Sequence, residues 1–151
     1  MTHKRLFSFL ILLGLVFAGG LTSGCSAPQE HELMMASLDQ MPPEVQNEPE
    51  RTRQAYQFAV ANPDVMQHIP CYCGCDNLGH TNNYVCYVAG VDAAGIIKFD
   101  SHAIGCPICV DITQDAMKML RQGKSTAEIK TYIDTMYAKY GPSNMPAENV
   151  P

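Results

Sequence analysis

Residues 106–141 read CPICVDITQDAMKMLRQGKSTAEIKTYIDTMYAKYG, and this stretch predicts two helices joined by a tight turn. Apolar residues recur in its first half at the spacing of one helix face until Gly123 ends the pattern. Ser125 and Glu128 then form a capping-box pattern, which marks the start of a second helix. The predicted faces are Cys109, Ile112, Ala116, Met119 and Leu120, then Ile129, Tyr132, Ile133, Met136, Tyr137 and Tyr140. We expect an antiparallel helical hairpin.

Upstream, the sequence predicts one longer helix and then a short one. Pro49 lies where a helix can begin, and residues 51–62 (RTRQAYQFAVAN) carry Ala55, Phe58, Ala59 and Asn62 at helical spacing. Proline follows Asn62 directly, so the first helix stops there and a short one (PDVMQHI) leads the chain to Pro70.

Residues 70–105 are rich in cysteine and glycine and show no helical period. Within them, VCYVAGVDAAGIIKF is compatible with a short β-hairpin that turns over 92–95. The predicted fold class is therefore mainly α: a small helical domain with a C-terminal helical hairpin and an irregular Cys/Gly-rich loop.

The N-terminus has the pattern of a secretory signal. Lys4 and Arg5 precede an apolar run from Leu6 to Phe17, which is too short to span a bilayer well. The run ends in AGGLTSGCS, which resembles the lipobox of bacterial lipoproteins, in which a signal peptidase cuts before a cysteine that then carries lipid. The matching residue is Cys25, although Thr22 stands where these boxes usually have leucine.

These patterns divide the chain into four parts. We predict a lipoprotein signal peptide over 1–24, a lipidated Cys25 with a flexible tether over 25–48, a Cys-rich helical domain over 49–141 and a disordered tail over 142–151. An uncleaved N-terminal anchor is the alternative to lipidation. Both place the domain outside the cytoplasm, at the cell membrane or the outer membrane.

The charge balance excludes nucleic acid as a partner. The chain has 10 basic and 15 acidic residues, and two of the basic ones lie in the predicted signal. Binding to nucleic acid or anionic lipid needs clustered lysine and arginine, which the chain lacks. The expected partners are instead the membrane, through the lipid, and a metalloprotein or a redox protein. An acidic domain is also compatible with binding a cation.

Three cysteines alternate in PCYCGC, residues 70–75. They are too close together to pair with one another comfortably, so any disulfide from them must run to Cys86, Cys106 or Cys109. Metal binding explains the spacing more directly, because Gly74 lets the backbone curl and Pro70 stiffens the entry. Thiolates on such a loop can converge on one ion at about 2.3 Å.

Cys106 and Cys109 form a second group of thiols. Pro107 suits the first position of a helix, which makes Cys106 the cap and places its sulfur at the positive end of the helix dipole. This position favours thiolate over thiol, and thiolate is the form that binds metal. Among the nearby histidines, His80 and His102 are stronger candidates than His68.

The candidate metal ligands are Cys71, Cys73, Cys75, Cys86, Cys106 and Cys109, with His80 and His102 as additional candidates. Soft thiolates select copper(I), zinc or iron–sulfur clusters, and imidazole suits zinc and copper. Copper(I) or zinc is the predicted ion, in a polynuclear thiolate site or as one ion beside one disulfide. A disulfide-stapled structural domain is a further alternative. Asp76 and Asp100 are interpreted as solvated turn residues.

Two resemblances add to this interpretation. PCYCGC followed by GH, a single cysteine, a histidine and C-x-x-C before a helix pair resembles the PCYCGC-motif family of bacterial lipoproteins, from about Pro70 to Tyr140. That family has no established activity to carry over. Residues 106–141 are also similar to the small helical thiol oxidoreductases of c-type cytochrome maturation, which implies a redox pair at Cys106 and Cys109.

The predicted function is a membrane-anchored, extracytoplasmic metal-binding lipoprotein that holds or delivers its ion. The chain shows neither paired carboxylates at acid/base spacing nor a complete phosphate-binding loop, because GKST lacks the upstream glycine and strand. A binding protein is therefore favoured over an enzyme. The alternative is a thiol-disulfide oxidoreductase that assists assembly of cytochrome c or another metalloprotein.

Overall fold

The computed structural model describes residues 30–146, which form six helices and one two-stranded antiparallel sheet. The helices are α1 (Pro43–Gln46), α2 (Glu50–Ala61), α3 (Pro63–Met66), α4 (His102–Gly105), α5 (Pro107–Arg121) and α6 (Thr126–Tyr137). The strands are β1 (Val88–Val91) and β2 (Ile97–Phe99), and 3-10 turns lie at Leu38–Gln40, Cys75–Leu78, Tyr84–Cys86 and Ala138–Tyr140. The predicted mainly α class is confirmed.

Helices α5 and α6 form the predicted hairpin. Pro107 is the first residue of α5, where its fixed φ suits the helix and its missing N–H has no partner to lose. Gly123 follows α5 with a φ of 76°, a left-handed conformation that glycine adopts without steric cost. Ser125 caps α6, because its hydroxyl accepts the backbone N–H of Glu128. The Glu128 carboxylate in turn accepts the backbone N–H of Ser125. The local signals in the sequence therefore set this turn.

The buried faces of the hairpin differ in part from the prediction. Ile129, Ile133 and Tyr137 of α6 are buried, at intervals of four residues. Tyr132 and Met136 were predicted on the same face but are 37% and 44% exposed. Helix α6 packs chiefly on α5. Because a single neighbouring helix covers only a narrow stripe of its surface, the residues beside that stripe stay exposed.

Helix α2 packs across α5 and supplies much of the remaining core. Its buried residues include the predicted Ala55, Phe58 and Ala59. Asn62 ends the helix and donates from Nδ2 to the Phe58 carbonyl at 2.8 Å, and α3 begins at Pro63. Both predicted helices of this region are therefore present.

The described part of the predicted tether lies against the domain, which differs from the prediction of a flexible segment. Met41 and Val45 are 2% and 1% exposed and belong to the core. The Ala36 N–H donates to the Gln57 carbonyl at 3.0 Å, and Gln57 Nε2 donates back to the Ala36 carbonyl at 2.8 Å. Apolar residues that showed no sustained period in the sequence are thus buried by the surface of α2.

The predicted signal peptide and Cys25 lie outside the described residues. Within residues 30–146, none of the helices has the length and apolar character needed to cross a membrane.

The predicted β-hairpin is present within the irregular region. Strands β1 and β2 pair antiparallel, with a register irregularity between Val88 and Gly90. Asp92 closes the turn, since its Oδ1 accepts from the N–H groups of Ala94 at 2.9 Å and Ile96 at 2.8 Å. The hairpin returns the chain to the cysteine region, where it continues directly into Asp100 and α4.

Candidate metal centre

The PCYCGC loop curls so that its cysteines face inward. Gly74 has a φ of 77°, and a 3-10 turn starts at the next residue, Cys75. Cys71 and Cys75 are buried and Cys73 is half-buried. The sulfurs of Cys71 and Cys73 lie 3.4 Å apart. The glycine therefore allows the curl that the sequence predicted.

The structure brings the second cysteine group against this loop. Cys106 caps α5 and Cys109 lies in its first turn, with their sulfurs 3.2 Å apart. The sulfur of Cys109 is 3.2 Å from that of Cys71 and 3.6 Å from that of Cys73. Residues 36 and 38 positions apart in sequence thus share one cluster.

Cys86 completes the set of six thiols. It is the buried last residue of the 3-10 turn Tyr84–Cys86, and its sulfur lies 4.0 Å from that of Cys75. On its other side, the Nδ1 atom of His80 lies 3.5 Å from the sulfur. All six cysteines of the described residues are free thiols.

Two of the three candidate histidines lie in the cluster. The rings of His80 and His102 meet edge to face, with centroids 5.0 Å apart. Nε2 of His102 is 3.6 Å from the sulfur of Cys73. His68 is exposed and lies outside the cluster.

The candidate ligands form overlapping groups that could hold a metal ion. Cys73, His102, Cys106 and Cys109 form one, Cys71, Cys75 and Cys86 a second, and Cys75, His80 and His102 a third. Within each group the ligand atoms lie within 4.8 Å of one another.

The spacing of the sulfurs fits shared metal ligation better than disulfide bonding. Thiolates around a tetrahedral zinc at about 2.3 Å place their sulfurs about 3.8 Å apart, whereas bonded disulfide sulfurs lie about 2.0 Å apart. The Sγ–Sγ distances of the five contacting pairs run from 3.2 to 4.0 Å. The residues present therefore match the donor set of a thiophilic metal.

Hydrogen bonds between the thiols separate their pKa values. The pKa of Cys71 lies well below its usual range, mainly because the thiols of Cys109 and then Cys86 donate to its sulfur. The pKa of Cys106 falls to about 5, chiefly through the thiol of Cys109. Burial raises the pKa of Cys73, and donation to Cys106 raises that of Cys109. A bound metal would displace the protons that remain on the thiols.

The low pKa of Cys106 was predicted from its place at the helix N-terminus. The direction is confirmed, but the main cause is the neighbouring thiol of Cys109 rather than the helix end. The backbone N–H of Cys109, which belongs to the first turn of α5, lowers the pKa further.

A buried polar network anchors Cys109 from behind. Its carbonyl accepts from the Tyr87 hydroxyl at 2.9 Å, from the Thr113 hydroxyl at 3.1 Å and from Asn83 Nδ2 at 3.4 Å. All three side chains are buried, so these bonds are shielded from water. They hold the first turn of α5 in place, and no local pattern in the sequence identified them.

Asp100 contacts both histidines, which corrects its interpretation as a solvated turn residue. Its side chain is only 26% exposed, and Oδ2 lies 3.6 Å from Nε2 of His80. Oδ1 accepts the backbone N–H of His102 at 2.7 Å. Histidines that ligate metals commonly present their second nitrogen to a carboxylate. Because Asp100 lies only two residues before His102, the sequence did contain a local signal for this arrangement.

Asn144 closes the PCYCGC loop, although the tail over 142–151 was predicted to be disordered. Asn144 is 9% exposed, and its Oδ1 accepts the Cys71 N–H at 2.7 Å. Its own N–H donates to the Cys71 carbonyl at 3.0 Å, and its Nδ2 lies 3.6 Å from the Cys75 sulfur. The described part of the tail, 142–146, is therefore fixed to the cluster through this residue. Residues 147–151 lie outside the described part.

The fold and the site together define a small, mostly helical domain with a Cys/His cluster that could hold a metal ion. Over residues 22–148 the chain matches the family described as a protein of unknown function with PCYCGC motif, and it belongs to that family. No curated protein and no solved structure was found to match it. The resemblance to thiol oxidoreductases of cytochrome maturation stays a prediction.

Proposed function

We propose that this protein is an extracytoplasmic, membrane-anchored lipoprotein that holds or delivers copper(I) or zinc. The convergence of six thiols and two imidazoles, from segments far apart in sequence, carries this proposal. Soft thiolates with imidazole are the donors that both ions prefer. The excess of acidic over basic residues, 15 against 10, is compatible with binding a cation.

The compartment strengthens the argument for a bound ion. Outside the cytoplasm, neighbouring thiols are readily oxidised to disulfides. Thiolates that ligate a metal are protected, so a cluster of closely spaced cysteines persists there when it is loaded. A metal therefore accounts for the close spacing of the thiols in that compartment.

The anchor is tested by Cys25→Ser, because the lipid attaches to this sulfur. We expect the variant to appear in the soluble fraction or to accumulate as the unprocessed precursor. The measurement is fractionation of cells followed by mass determination of the protein, with Cys73→Ser as a cysteine control that should stay in the membrane. Membrane attachment of processed Cys25→Ser at the level of the unchanged protein would contradict lipidation.

A thiol-disulfide oxidoreductase is the second candidate function. The observation in its favour is the Cys106–Cys109 pair, with sulfurs 3.2 Å apart and a Cys106 pKa of about 5. The Cys106 thiolate would attack a partner disulfide and form a mixed disulfide. Cys109 would then resolve it, which leaves the Cys106–Cys109 disulfide and the partner as a reduced dithiol.

Purification without reductant, followed by elemental analysis and thiol counting, distinguishes the candidates. We expect stoichiometric copper or zinc, with cluster thiols that react only after the metal is chelated. His102→Ala should lower metal retention, whereas the matched variant His68→Ala, which changes an exposed histidine outside the cluster, should not.

Two other results would point elsewhere. Metal-free protein with a single Cys106–Cys109 disulfide would favour the oxidoreductase. Metal-free protein with three disulfides would identify the structural, disulfide-stapled domain and end the metal proposal.

A further inference from the structure

The candidate ligands are too numerous for a single ion. A tetrahedral site uses four, and Cys73, His102, Cys106 and Cys109, here called the outer group, already supply them. Cys71, Cys75 and Cys86, here called the inner group, remain as a separate set of mutually close sulfurs.

We propose that the centre holds two thiophilic ions with different roles: a retained ion in the inner group and an exchangeable ion in the outer group. This inference rests on the proposed metal-binding function and deepens it. It assigns the delivery step to one half of the cluster and a structural role to the other half.

We assign His80 to the inner ion as its fourth ligand, because it shares the third group with Cys75 and contacts Cys86. Its Nδ1 lies 3.5 Å from the sulfur of Cys86, while its Nε2 faces the carboxylate of Asp100 at 3.6 Å. A ring held by one nitrogen and free at the other is the usual arrangement of a metal-bound histidine. With His80, each ion has three cysteines and one histidine.

The two groups touch through Cys71. Its sulfur lies 3.2 Å from that of Cys109 and 3.4 Å from that of Cys73, both members of the outer group. A thiolate in this position can bridge two neighbouring ions. The groups therefore form one two-ion centre rather than two remote sites.

Charge also favours a second ion. In the described residues, the side-chain partners of the sulfurs are each other, the two imidazoles and the Asn144 amide. Their backbone partners are the Asn82 carbonyl and the N–H groups of Cys73 and Cys109. None of these partners is a lysine or an arginine. Buried thiolates without a compensating cation are costly, and an ion in the inner group supplies that charge.

The two groups differ in access to solvent, which separates their roles. Cys71, Cys75 and Cys86 are at most 2% exposed, and Asn144 covers the loop that carries the first two. In the outer group, Cys73, His102 and Cys106 are half-buried. An incoming thiol of a partner can therefore replace ligands of the outer ion first, and the inner ion last.

The test is the release of zinc from the fully loaded chain into excess chelator, repeated anaerobically with copper(I). We expect two phases of about equal amplitude, from a total of two zinc ions per chain. Cys106→Ser should remove the fast phase and Cys86→Ser the slow one. Asn144→Ala should accelerate the slow phase at least about tenfold, the lower bound for losing a residue that hydrogen-bonds to a metal ligand. Asn47→Ala, an exposed asparagine in the N-terminal segment, is the matched control that should change neither phase.

Three outcomes would overturn the inference. One ion per chain with a single release phase would mean a mononuclear site. Loss of all metal in both Cys106→Ser and Cys86→Ser, with helical content retained by circular dichroism, would mean one cooperative cluster. A fast phase that survives in Cys106→Ser and vanishes in Cys86→Ser would reverse the assignment. Failure of the unchanged protein to bind either metal would instead refute the proposed function itself.

Discussion

Removing the metal should release residues 70–87 from their folded state while α5 and α6 stay helical. This segment contains only 3-10 turns, and its buried cysteines hold it to the start of α5. A preformed site seldom exists without its metal, so binding energy acts as folding energy for this part of the chain. With metal at a thousandfold excess over Kd, binding stabilises the loaded state by about 4.1 kcal/mol. The equilibrium constant for opening this segment then falls about a thousandfold.

Hydrogen exchange of the loaded and chelated protein measures this effect. Amides of residues 70–87 should exchange about a thousandfold faster without metal. Amides around Ile129 and Ile133 in α6 serve as the internal control, because their burial depends on the helical hairpin. Equal protection of the 70–87 amides in both states would show that the loop is organised by its protein contacts alone.

The helical hairpin could be predicted because each of its signals is local. Pro107, Gly123, Ser125 and Glu128 act on the backbone within a few residues of themselves, and all four lie where the pattern placed them. The β-turn at Asp92 is local in the same sense. The prediction that Tyr132 and Met136 of α6 are buried was wrong. Periodicity gives the direction of a buried stripe but not its width, which depends on the neighbouring helix.

The cysteines of the cluster could be proposed from the sequence because their chemistry is specific, whereas their supporting residues could not. Asn144 and Tyr87 bond to backbone atoms of Cys71 and Cys109, respectively, across 73 and 22 positions. Such contacts depend on the tertiary path of the chain. The burial of Met41 in the predicted tether has the same origin, since the partner surface is formed by distant residues.

Assembly of the cluster carries the entropy cost of closing a long loop. Bringing residue 71 to residue 109 closes a long, glycine-containing loop, whose entropy cost rises slowly with length. The β-hairpin shortens the free part of that loop. Asp100, which follows the hairpin, contacts both histidines. Local structure thus reduces the ordering that metal binding must drive.

Cys73→Ser and Cys106→Ser should each weaken binding of the outer ion by more than about 100-fold. Loss of a residue that only hydrogen-bonds to a metal ligand already costs about 10- to 100-fold in affinity. The two sulfurs come from opposite segments, yet both lie within 4.8 Å of the other ligand atoms of the outer group. If they bind the same ion, the double variant should be little worse than either single one. Independent effects would multiply to about 10,000-fold, or about 5.6 kcal/mol at 1.4 kcal/mol for each factor of ten.

The measurement is a double-mutant cycle on outer-ion affinity, obtained by competition with a chelator of known strength. Cys86→Ser paired with Cys106→Ser is the matched control, since Cys86 belongs to the inner group. Adding Cys86→Ser to Cys106→Ser should leave the outer-ion affinity close to that of Cys106→Ser alone. Cys86→Ser should remove the inner ion instead. A Cys73→Ser variant that leaves the outer affinity unchanged, as the Cys86→Ser control should, would assign Cys73 and Cys106 to different ions. The PCYCGC loop and the start of α5 would then be separate sites, and Cys106 with Cys109 would be free to act as the redox pair.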